Sequence, residues 1–244
     1  MDAVELLPRL VMLRLPVGQA YVWRDGPDAL TLIDAGPAGS GARIVGAVTA
    51  LGARPEAVRR IVVTHFHEDH AGGAAEVAAL TGAEVLAHQL DAPHVRGEAP
   101  GPPPALEDWE LPLHRSALSL LPPGDYEHPS LITELSDGDV LDVGGGARVL
   151  HAPGHTRGSI ALHLPDEGVL FTGDTVAASP TDGTPIPGVF NVDKRQLMAS
   201  CASLADLDTK VACFRHGDPA LKDAGGRLRA MLDAADGDAD RRHR

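Results

Sequence analysis

Basic side chains are scarce in this sequence. It has 21 lysines and arginines against 34 aspartates and glutamates, which gives a formal net charge of −13 at pH 7. No lysine- or arginine-rich run occurs before the last few residues. A chain without such a run lacks the usual electrostatic footprint of a nucleic-acid-binding protein. The composition therefore argues against nucleic acid as a partner.

Long apolar runs and cysteines are also lacking. No apolar run approaches the roughly 18 residues that indicate a membrane-spanning helix. The first residues, "MDAVELLPRLVMLRLP", do not show the basic region and apolar core of a signal peptide. The two cysteines, Cys201 and Cys213, do not form a CxxC metal motif. These features predict no membrane contact and a cytoplasmic location, where cysteines stay reduced.

Two series of strand and helix patterns occupy most of the 244 residues. The first runs to about residue 95 and includes the apolar strand "RIVVTH" and the small-residue helix "AGGAAEVAALTG". The second begins at about residue 131, with strands such as "ARVLHA" and "GVLFTGD". This order predicts an α/β fold in which two mixed sheets pack together with helices outside. No interior linker resembles a domain boundary, so we expect residues 1–244 to form a single domain.

The stretch between the two series, at about 92–130, is expected to be irregular because its many prolines oppose a regular helix or a central strand. Such segments are commonly lids or binding walls. Trp109 and Tyr126 lie in this stretch, and Phe190 lies in another irregular segment. We interpret 92–130 as a lid-like insertion and the three aromatic residues as candidate substrate contacts. The alternatives are anchors that pack loops onto the core and, for 92–130, a homodimer contact.

Residues 64–73, "THFHEDHAGG", place three histidines and two acids in six consecutive positions after an apolar strand. His65 and His67 are separated by one residue, so both side chains project to the same side of an extended backbone. Asp69 and His70 follow, where the chain should turn into a helix. Imidazoles and carboxylates are preferred ligands of zinc and also suit iron or manganese. The pattern indicates a metal site, and a solvated charged loop is the alternative.

Three later positions favour the metal site over the solvated loop. His155 lies in the turn "APGHTRGS", Asp174 ends the strand "LFTGD", and His216 follows the strand in "FRHGD". Loops at strand ends commonly carry the chemistry of a protein, because the scaffold positions them. Together with residues 65–70, these positions supply five histidines and two aspartates. That number is enough for two adjacent metal ions that share one carboxylate.

With HxHxDH, a downstream PGHT, a GD strand end and a final histidine, the sequence resembles the metallo-β-lactamase superfamily, in particular its glyoxalase-II-like hydrolases. The similarity extends from "LIDAG" to "RHGDP". It implies a four-layer αβ/βα sandwich of two mixed β-sheets, with the site at the edge between them. It also implies two sets of metal ligands joined by a bridging carboxylate: His65, His67 and His155 for one ion, Asp69, His70 and His216 for the other, and Asp174 as the bridge.

Asp34 in "LIDAG" matches a family position that supports the metal ligands from behind, and the alternative is an ordinary acid in a strand-end turn. The resemblance further implies two divalent metal ions, with Zn²⁺ expected and iron or manganese as alternatives. In this chemistry, a hydroxide between the metals attacks an ester-like bond of a small molecule: a thioester, a lactone or an acyl ester.

Asp69 would orient the attacking hydroxide and Asp174 would hold the two metals together, so these two are the expected catalytic residues of a thioesterase-like hydrolase. Other functions remain open on the same ligand set. They are a persulfide dioxygenase with a single iron, a β-lactamase and a phosphodiesterase. A nuclease would need a basic groove, which the net charge of −13 argues against.

Overall fold

The computed structural model describes residues 2–26 and 28–242, and its larger sheet has seven strands in sequence order. The first four strands are antiparallel neighbours, and the fourth to seventh run parallel to one another. The strands are β1 (Asp2–Leu7), β2 (Leu10–Arg14), β3 (Gln19–Gly26), β4 (Ala29–Ile33), β5 (Val58–Val63), β6 (Glu84–His88) and β7 (Thr133–Leu135).

The second sheet has five strands in the order β14-β11-β10-β9-β8. Only β11 and β14 are parallel in this sheet. A separate antiparallel pair, β12 with β13, follows β11 in the chain. The strands are β8 (Val140–Leu141), β9 (Ala147–His151), β10 (Ile160–Leu164), β11 (Val169–Phe171), β12 (Val176–Ala178), β13 (Pro185–Pro187) and β14 (Val211–Cys213).

Seven α-helices accompany the strands in the described ranges, with short 3₁₀ turns at Pro55–Ala57 and Gly173–Thr175. They are α1 (Gly41–Ala50), α2 (Glu68–Ala71), α3 (Ala74–Thr81), α4 (Ala92–Val95), α5 (Glu110–Leu118), α6 (Lys194–Ala205) and α7 (Ala224–Arg242). The apolar spacing of α1 buries Ile44, Ala47 and Val48 on one face. The helix α3 ends at Gly82, whose φ of 76° is the left-handed conformation that glycine supplies at helix ends.

The two sheets and the helices form four layers, which confirms the predicted αβ/βα sandwich. Strand β2 shows why, because its side chains alternate between the two faces of its sheet. Val11 and Leu13 pack outward into the apolar cluster that includes α1 and α3. Leu10 and Met12 pack inward into the core between the two sheets. A third cluster joins the outer face of the second sheet to α6 and α7.

The stretch 92–130 is less irregular than predicted, because it contains α4 and α5. The expectation that its prolines prevent a regular helix is wrong. Pro93 is the second residue of α4 and Pro112 is the third residue of α5. The first four N–H groups of a helix have no acceptor within the helix, so proline at these positions breaks no helical hydrogen bond.

Within the described residues, no helix combines the length and the apolar character that crossing a membrane requires.

The core between the two sheets can be tested with a pair of identical substitutions. Leu162, in β10, is fully buried there, whereas Leu120, after α5, is 64% exposed. Leu162→Ala is expected to lower the free energy of unfolding by about 2–5 kcal/mol, because the change leaves a cavity. Leu120→Ala is expected to change it by less than about 0.5 kcal/mol. Urea unfolding followed by circular dichroism measures both, and equal losses would contradict this core.

Candidate metal centre

Three histidines from two sheets meet at one edge of the sandwich. His65 and His67 follow β5 of the first sheet, and His155 lies in the turn between β9 and β10 of the second. The Nδ1 atom of His67 lies 3.0 Å from Nε2 of His65 and 2.9 Å from Nε2 of His155. His65 and His155 are buried and His67 is half-buried. We call these residues the three-histidine group.

The protonation state of the three-histidine group fits a bound cation. Burial lowers the pKa of all three histidines, that of His67 to about 3, and neighbouring histidines add to the effect. Each ring is therefore neutral at pH 7 and has one nitrogen without a hydrogen. Three such nitrogens at these distances repel one another unless a proton or a cation lies among them. A divalent metal ion accepts a lone pair from each.

A second cluster, formed by Asp69, His70 and His216, lies beside the first, and we call it the aspartate–histidine group. The Oδ2 atom of Asp69 is 3.2 Å from Nε2 of His216 and 3.5 Å from Nε2 of His70. His216 follows β14 of the second sheet, whereas Asp69 and His70 lie in α2. Both groups thus draw residues from the two halves of the molecule.

Asp174 lies between the two groups. One carboxylate oxygen, Oδ2, is 3.7 Å from Nε2 of His155 and 3.5 Å from Nε2 of His216. The other, Oδ1, is 3.3 Å from Nε2 of His70. Oδ1 of Asp174 and Nε2 of His70 are buried without a well-formed hydrogen bond to the described part of the chain. Buried polar atoms without partners are costly, and a metal ion would satisfy both.

The aspartates also control the charge of the second group. Burial lowers the pKa of His70. The carboxylates of Asp174, Asp34 and Asp69 outweigh this effect and raise the pKa to about 10. Burial also lowers the pKa of His216. The carboxylates of Asp174 and Asp69 have the larger, opposite effect and raise this pKa to about 9. Protons on these rings balance the acids in the metal-free chain. A metal ion would replace them, because ligands must release their protons to bind metal.

Asp34 orients His70. Its Oδ2 atom lies 2.9 Å from Nδ1 of His70, and its Oδ1 atom accepts a hydrogen bond of 2.8 Å from the backbone N–H of Thr64. A carboxylate only accepts hydrogen bonds, so Nδ1 carries a hydrogen and Nε2 is the ring atom that faces the cluster. Asp34 has a φ of 58°. Its short polar side chain makes this left-handed conformation accessible at the end of β4.

Arg215 is fully buried beside Asp69. It donates hydrogen bonds to the backbone carbonyls of Gln19 (2.6 Å), Val17 (2.9 Å) and Asp69. It therefore holds the backbone of α2 at Asp69 against the turn between β2 and β3. Gly18 in that turn has a φ of 63°, and a Cβ atom there would collide with the guanidinium. Burial raises the pKa of Asp69, but His70, His216 and Arg215 together lower it well below its usual range.

A cavity of about 340 Å³ opens beside both groups. Its polar wall contains His67, Asp69, His155, Asp174 and His216, with Glu68. The rest of the lining is largely apolar and comes in part from α5 and the residues that follow it. The other lining residues are Val17, Pro104, His114, Ala117, Leu118, Leu121, Ala177, Gly188, Val189 and Phe190.

Of the three aromatic residues selected from the sequence, only Phe190 lines this cavity. Its backbone N–H donates a 2.9 Å hydrogen bond to the buried Glu110, which ties α5 to this loop. Trp109 is half-exposed and its indole N–H donates to Glu107. Tyr126 stacks obliquely against His128, with ring centroids 4.4 Å apart. Trp109 and Tyr126 are therefore not among the residues that line the cavity.

Sequence reasoning missed three residues that support the site: Asp91, Asn191 and Glu110. The Oδ1 atom of Asn191 lies 3.3 Å from Nδ1 of His155. Asp91 hydrogen-bonds the loops that carry the three-histidine group. It stands just beyond the end of β6, as Asp34 stands beyond β4, so its position was an available signal. Nothing in the local sequence distinguishes Asn191 or Glu110.

Comparison with known proteins gives a family match over most of the chain. The model of the metallo-beta-lactamase superfamily matches residues 14–216. A hydroxyacylglutathione hydrolase of Fuscovulum blasticum is 31% identical over 225 residues, which are 87% of this chain and 73% of the relative. One of Cereibacter sphaeroides is 37% identical over 120 residues, 49% of this chain and 34% of the relative. The chain thus spans only about a third of that relative's length.

A human acyl-coenzyme A thioesterase is 36% identical over 141 residues, which are 51% of this chain and 44% of that protein. Among solved structures, a metallo-beta-lactamase family protein of Thermus thermophilus matches with a TM-score of 0.68 and 26% identity, over 96% of this chain and 81% of the other. A metallo-beta-lactamase of Cronobacter sakazakii matches with a TM-score of 0.73 and 21% identity, over 99% and 94%. The latter likeness concerns the fold alone.

The geometry predicts that divalent metal stabilises the chain. Adding Zn²⁺ to the chelator-treated protein is expected to raise the Tm, because a ligand that binds only the folded state stabilises it. His155→Ala, which removes one member of the three-histidine group, should lose most of this rise. His151→Ala is the matched control, because His151 stacks on His88 outside both groups. Differential scanning calorimetry with and without Zn²⁺ measures the rise, and an undiminished rise in His155→Ala would contradict the site.

Proposed function

The chain belongs to the metallo-beta-lactamase superfamily, and we propose that it is a metal-dependent hydrolase of thioesters or related esters. The observation that carries this proposal is the position of Asp174. Its carboxylate lies between the three-histidine group and the aspartate–histidine group, at the polar wall of a cavity. Two relatives are named hydroxyacylglutathione hydrolase and acyl-coenzyme A thioesterase. Both names specify a thioester substrate, which supports hydrolysis of a thioester bond.

Two divalent ions fit the ligand set. His65, His67 and His155 would hold one, Asp69, His70 and His216 the other, and Asp174 would contact both. The nitrogen and carboxylate donors favour Zn²⁺, with iron or manganese as alternatives. When bound, such ions polarise a substrate carbonyl and supply a nucleophile at neutral pH. Seven ligands are more than one tetrahedral site uses.

The acids and the cavity supply the rest of the chemistry. Asp69 faces the cavity, and its lowered pKa keeps its carboxylate ionised, so it accepts a hydrogen bond from the attacking water and orients it. Asp34 and Asn191 hold the rings of His70 and His155 in place. We infer that the catalytic acids are Asp69 and Asp174, with Asp34 acting through His70.

The cavity indicates the acyl part of the substrate. Its apolar lining includes Ala117, Leu118, Leu121, Val189 and Phe190. Such a wall binds an apolar acyl group better than a charged one, because burying an unpaired charge is costly. We therefore propose a small thioester or ester whose acyl group lies along α5. The segment 92–130 then acts as a lid through α5, and a homodimer contact at Trp109 is the alternative role.

We propose that the enzyme works as a cytoplasmic protein. Cys201 and Cys213 are both buried free thiols, and burial raises the pKa of the Cys201 thiol to about 12. Neither thiol is therefore suited to act as a nucleophile, because the thiolate is the reactive form. Free cysteines are typical of reducing compartments.

The proposed function is tested by metal content and hydrolysis together. Metal-reconstituted protein is expected to hold two ions per chain and to hydrolyse thioesters in a panel with lactones and phosphodiesters. Asp174→Ala should lower kcat by more than the roughly 10–100-fold that loss of an outer hydrogen-bond partner costs. Elemental analysis and steady-state kinetics measure both. Full activity of Asp174→Ala would overturn the bridging role, and oxygen uptake with a persulfide would favour an iron oxygenase.

The proposed acyl wall is tested by two neighbouring leucines. Leu118 lines the cavity, whereas Leu120 does not, and both are more than half exposed. Leu118→Ser is expected to lower kcat/KM for an octanoyl thioester about 10-fold relative to an acetyl thioester, since a few lost apolar contacts are worth about 1–3 kcal/mol. Leu120→Ser should leave this ratio unchanged. A Leu118→Ser variant with the wild-type ratio would place the acyl group elsewhere.

The same two variants separate the lid from the homodimer interpretation. Light scattering that shows a shift in molecular mass for either variant would indicate that this surface contacts a second chain.

A further inference from the structure

A buried carboxylate outside the ligand set joins the two loops that carry the three-histidine group. Asp91 lies between β6 and α4 and is 1% exposed. Its Oδ2 atom accepts hydrogen bonds from the backbone N–H of Phe66, at 3.0 Å, and from the hydroxyl of Thr156, at 2.7 Å. Its Oδ1 atom accepts one of 2.8 Å from the backbone N–H of Gly158. No proposed ligand is among these partners.

The three donors are placed so that they control the ligands. Phe66 stands between His65 and His67, in the loop that follows β5 of the first sheet. Thr156 and Gly158 follow His155, in the turn from β9 to β10 of the second sheet. One carboxylate therefore spans the junction between the sheets and holds both loops. The contact is close, since a Cβ atom at position 158 would lie 2.6 Å from both N and Oδ1 of Asp91.

We propose that Asp91 is a positioning residue that keeps His65, His67 and His155 at metal-binding distance. This inference rests on the proposed function, because it assumes that the three-histidine group binds a metal ion. Metal ligands must be held within about 0.5 Å of their productive geometry by surrounding packing and hydrogen bonds. His67 is only half-buried, so packing alone constrains it less than it constrains His65. The hydrogen bond at Phe66 N supplies the missing constraint next to both residues.

The chemistry of the carboxylate is specific to this task. An ionised carboxylate only accepts hydrogen bonds, and all three partners of Asp91 donate. An asparagine has nearly the same shape, but it presents an NH₂ group in place of one oxygen. That group would face a donor, either at Gly158 or at Phe66 with Thr156. Asp91→Asn should therefore loosen one of the two loops with little change in volume.

The experiment compares Asp91→Asn with Asp25→Asn in the full chain. Asp25 is a matched control, because its carboxylate also joins the two sheets. Its Oδ1 atom accepts a 2.7 Å hydrogen bond from Gly144 N and so connects β3 to the turn between β8 and β9. Neither of the loops that carry the three histidines takes part in this contact. Zn²⁺ affinity is measured by competition with a chromophoric chelator. The visible spectrum of bound Co²⁺ reports the ligand geometry without any turnover. Circular dichroism checks that both variants are folded.

Asp91→Asn is expected to weaken the binding of one metal ion by about 10–100-fold, the range in which mutation of supporting residues outside a ligand set usually lowers metal affinity, and to alter the Co²⁺ spectrum. Asp25→Asn should keep both wild-type properties. Wild-type metal affinity in Asp91→Asn, or an equal loss in Asp25→Asn, would overturn the positioning role. A wild-type protein that binds no metal would instead refute the proposed function.

If Asp91→Asn does not fold, Thr156→Val decides the question, since it removes one donor and leaves the carboxylate in place. A lower Zn²⁺ affinity in folded Thr156→Val supports the role of Asp91, and an unchanged affinity overturns it.

Discussion

The structure depends on bringing seven polar side chains together where the two sheets meet. Three ring nitrogens lie very close together in this cluster. The Nδ1 atom of His67 is 3.0 Å from Nε2 of His65 and 2.9 Å from Nε2 of His155. Burial keeps those rings neutral, so their nitrogens repel one another unless a proton or a cation lies among them. The inter-sheet core, which includes Leu162 and Phe171, holds together the two sheets from which these rings come. A cation that accepts a lone pair from each of the three rings would remove this repulsion.

Three side chains outside the cluster, Asp34, Arg215 and Asp91, each restrain a different part of it. Asp34, just after β4, accepts a hydrogen bond from His70 and orients its ring. Arg215 acts from the end of β14 and holds the backbone of Asp69. Asp91 acts from the end of β6 and spans both sheets. All three are buried, and their partners are mostly backbone groups, so they restrain the loops themselves and not only the side chains.

Sequence reasoning succeeded where chemistry and local periodicity coincide. The predicted strand "RIVVTH" coincides with most of β5, and the predicted small-residue helix "AGGAAEVAALTG" contains α3, because strands and helices have different local periods. The seven clustered residues were recognisable because their types and strand-end positions suit metal binding. The absence of Trp109 and Tyr126 from the cavity lining was not accessible in this way. It depends on tertiary packing, and the single proline of α5, Pro112, occupies the first turn of that helix, where it is tolerated.

The same tertiary dependence explains the cavity wall. Helix α5 contributes Ala117 and the half-exposed Leu118 to the cavity lining, and Leu121 follows in its continuation. Its only buried residue is Glu110, at its first position, and that carboxylate accepts hydrogen bonds from Phe190 N and Glu107 N. The helix is thus anchored at one end by polar contacts and carries apolar side chains along its length. Such an arrangement gives little stability by burial, but it leaves apolar side chains in the cavity that also contains Asp69 and Asp174, where a bound substrate would cover them.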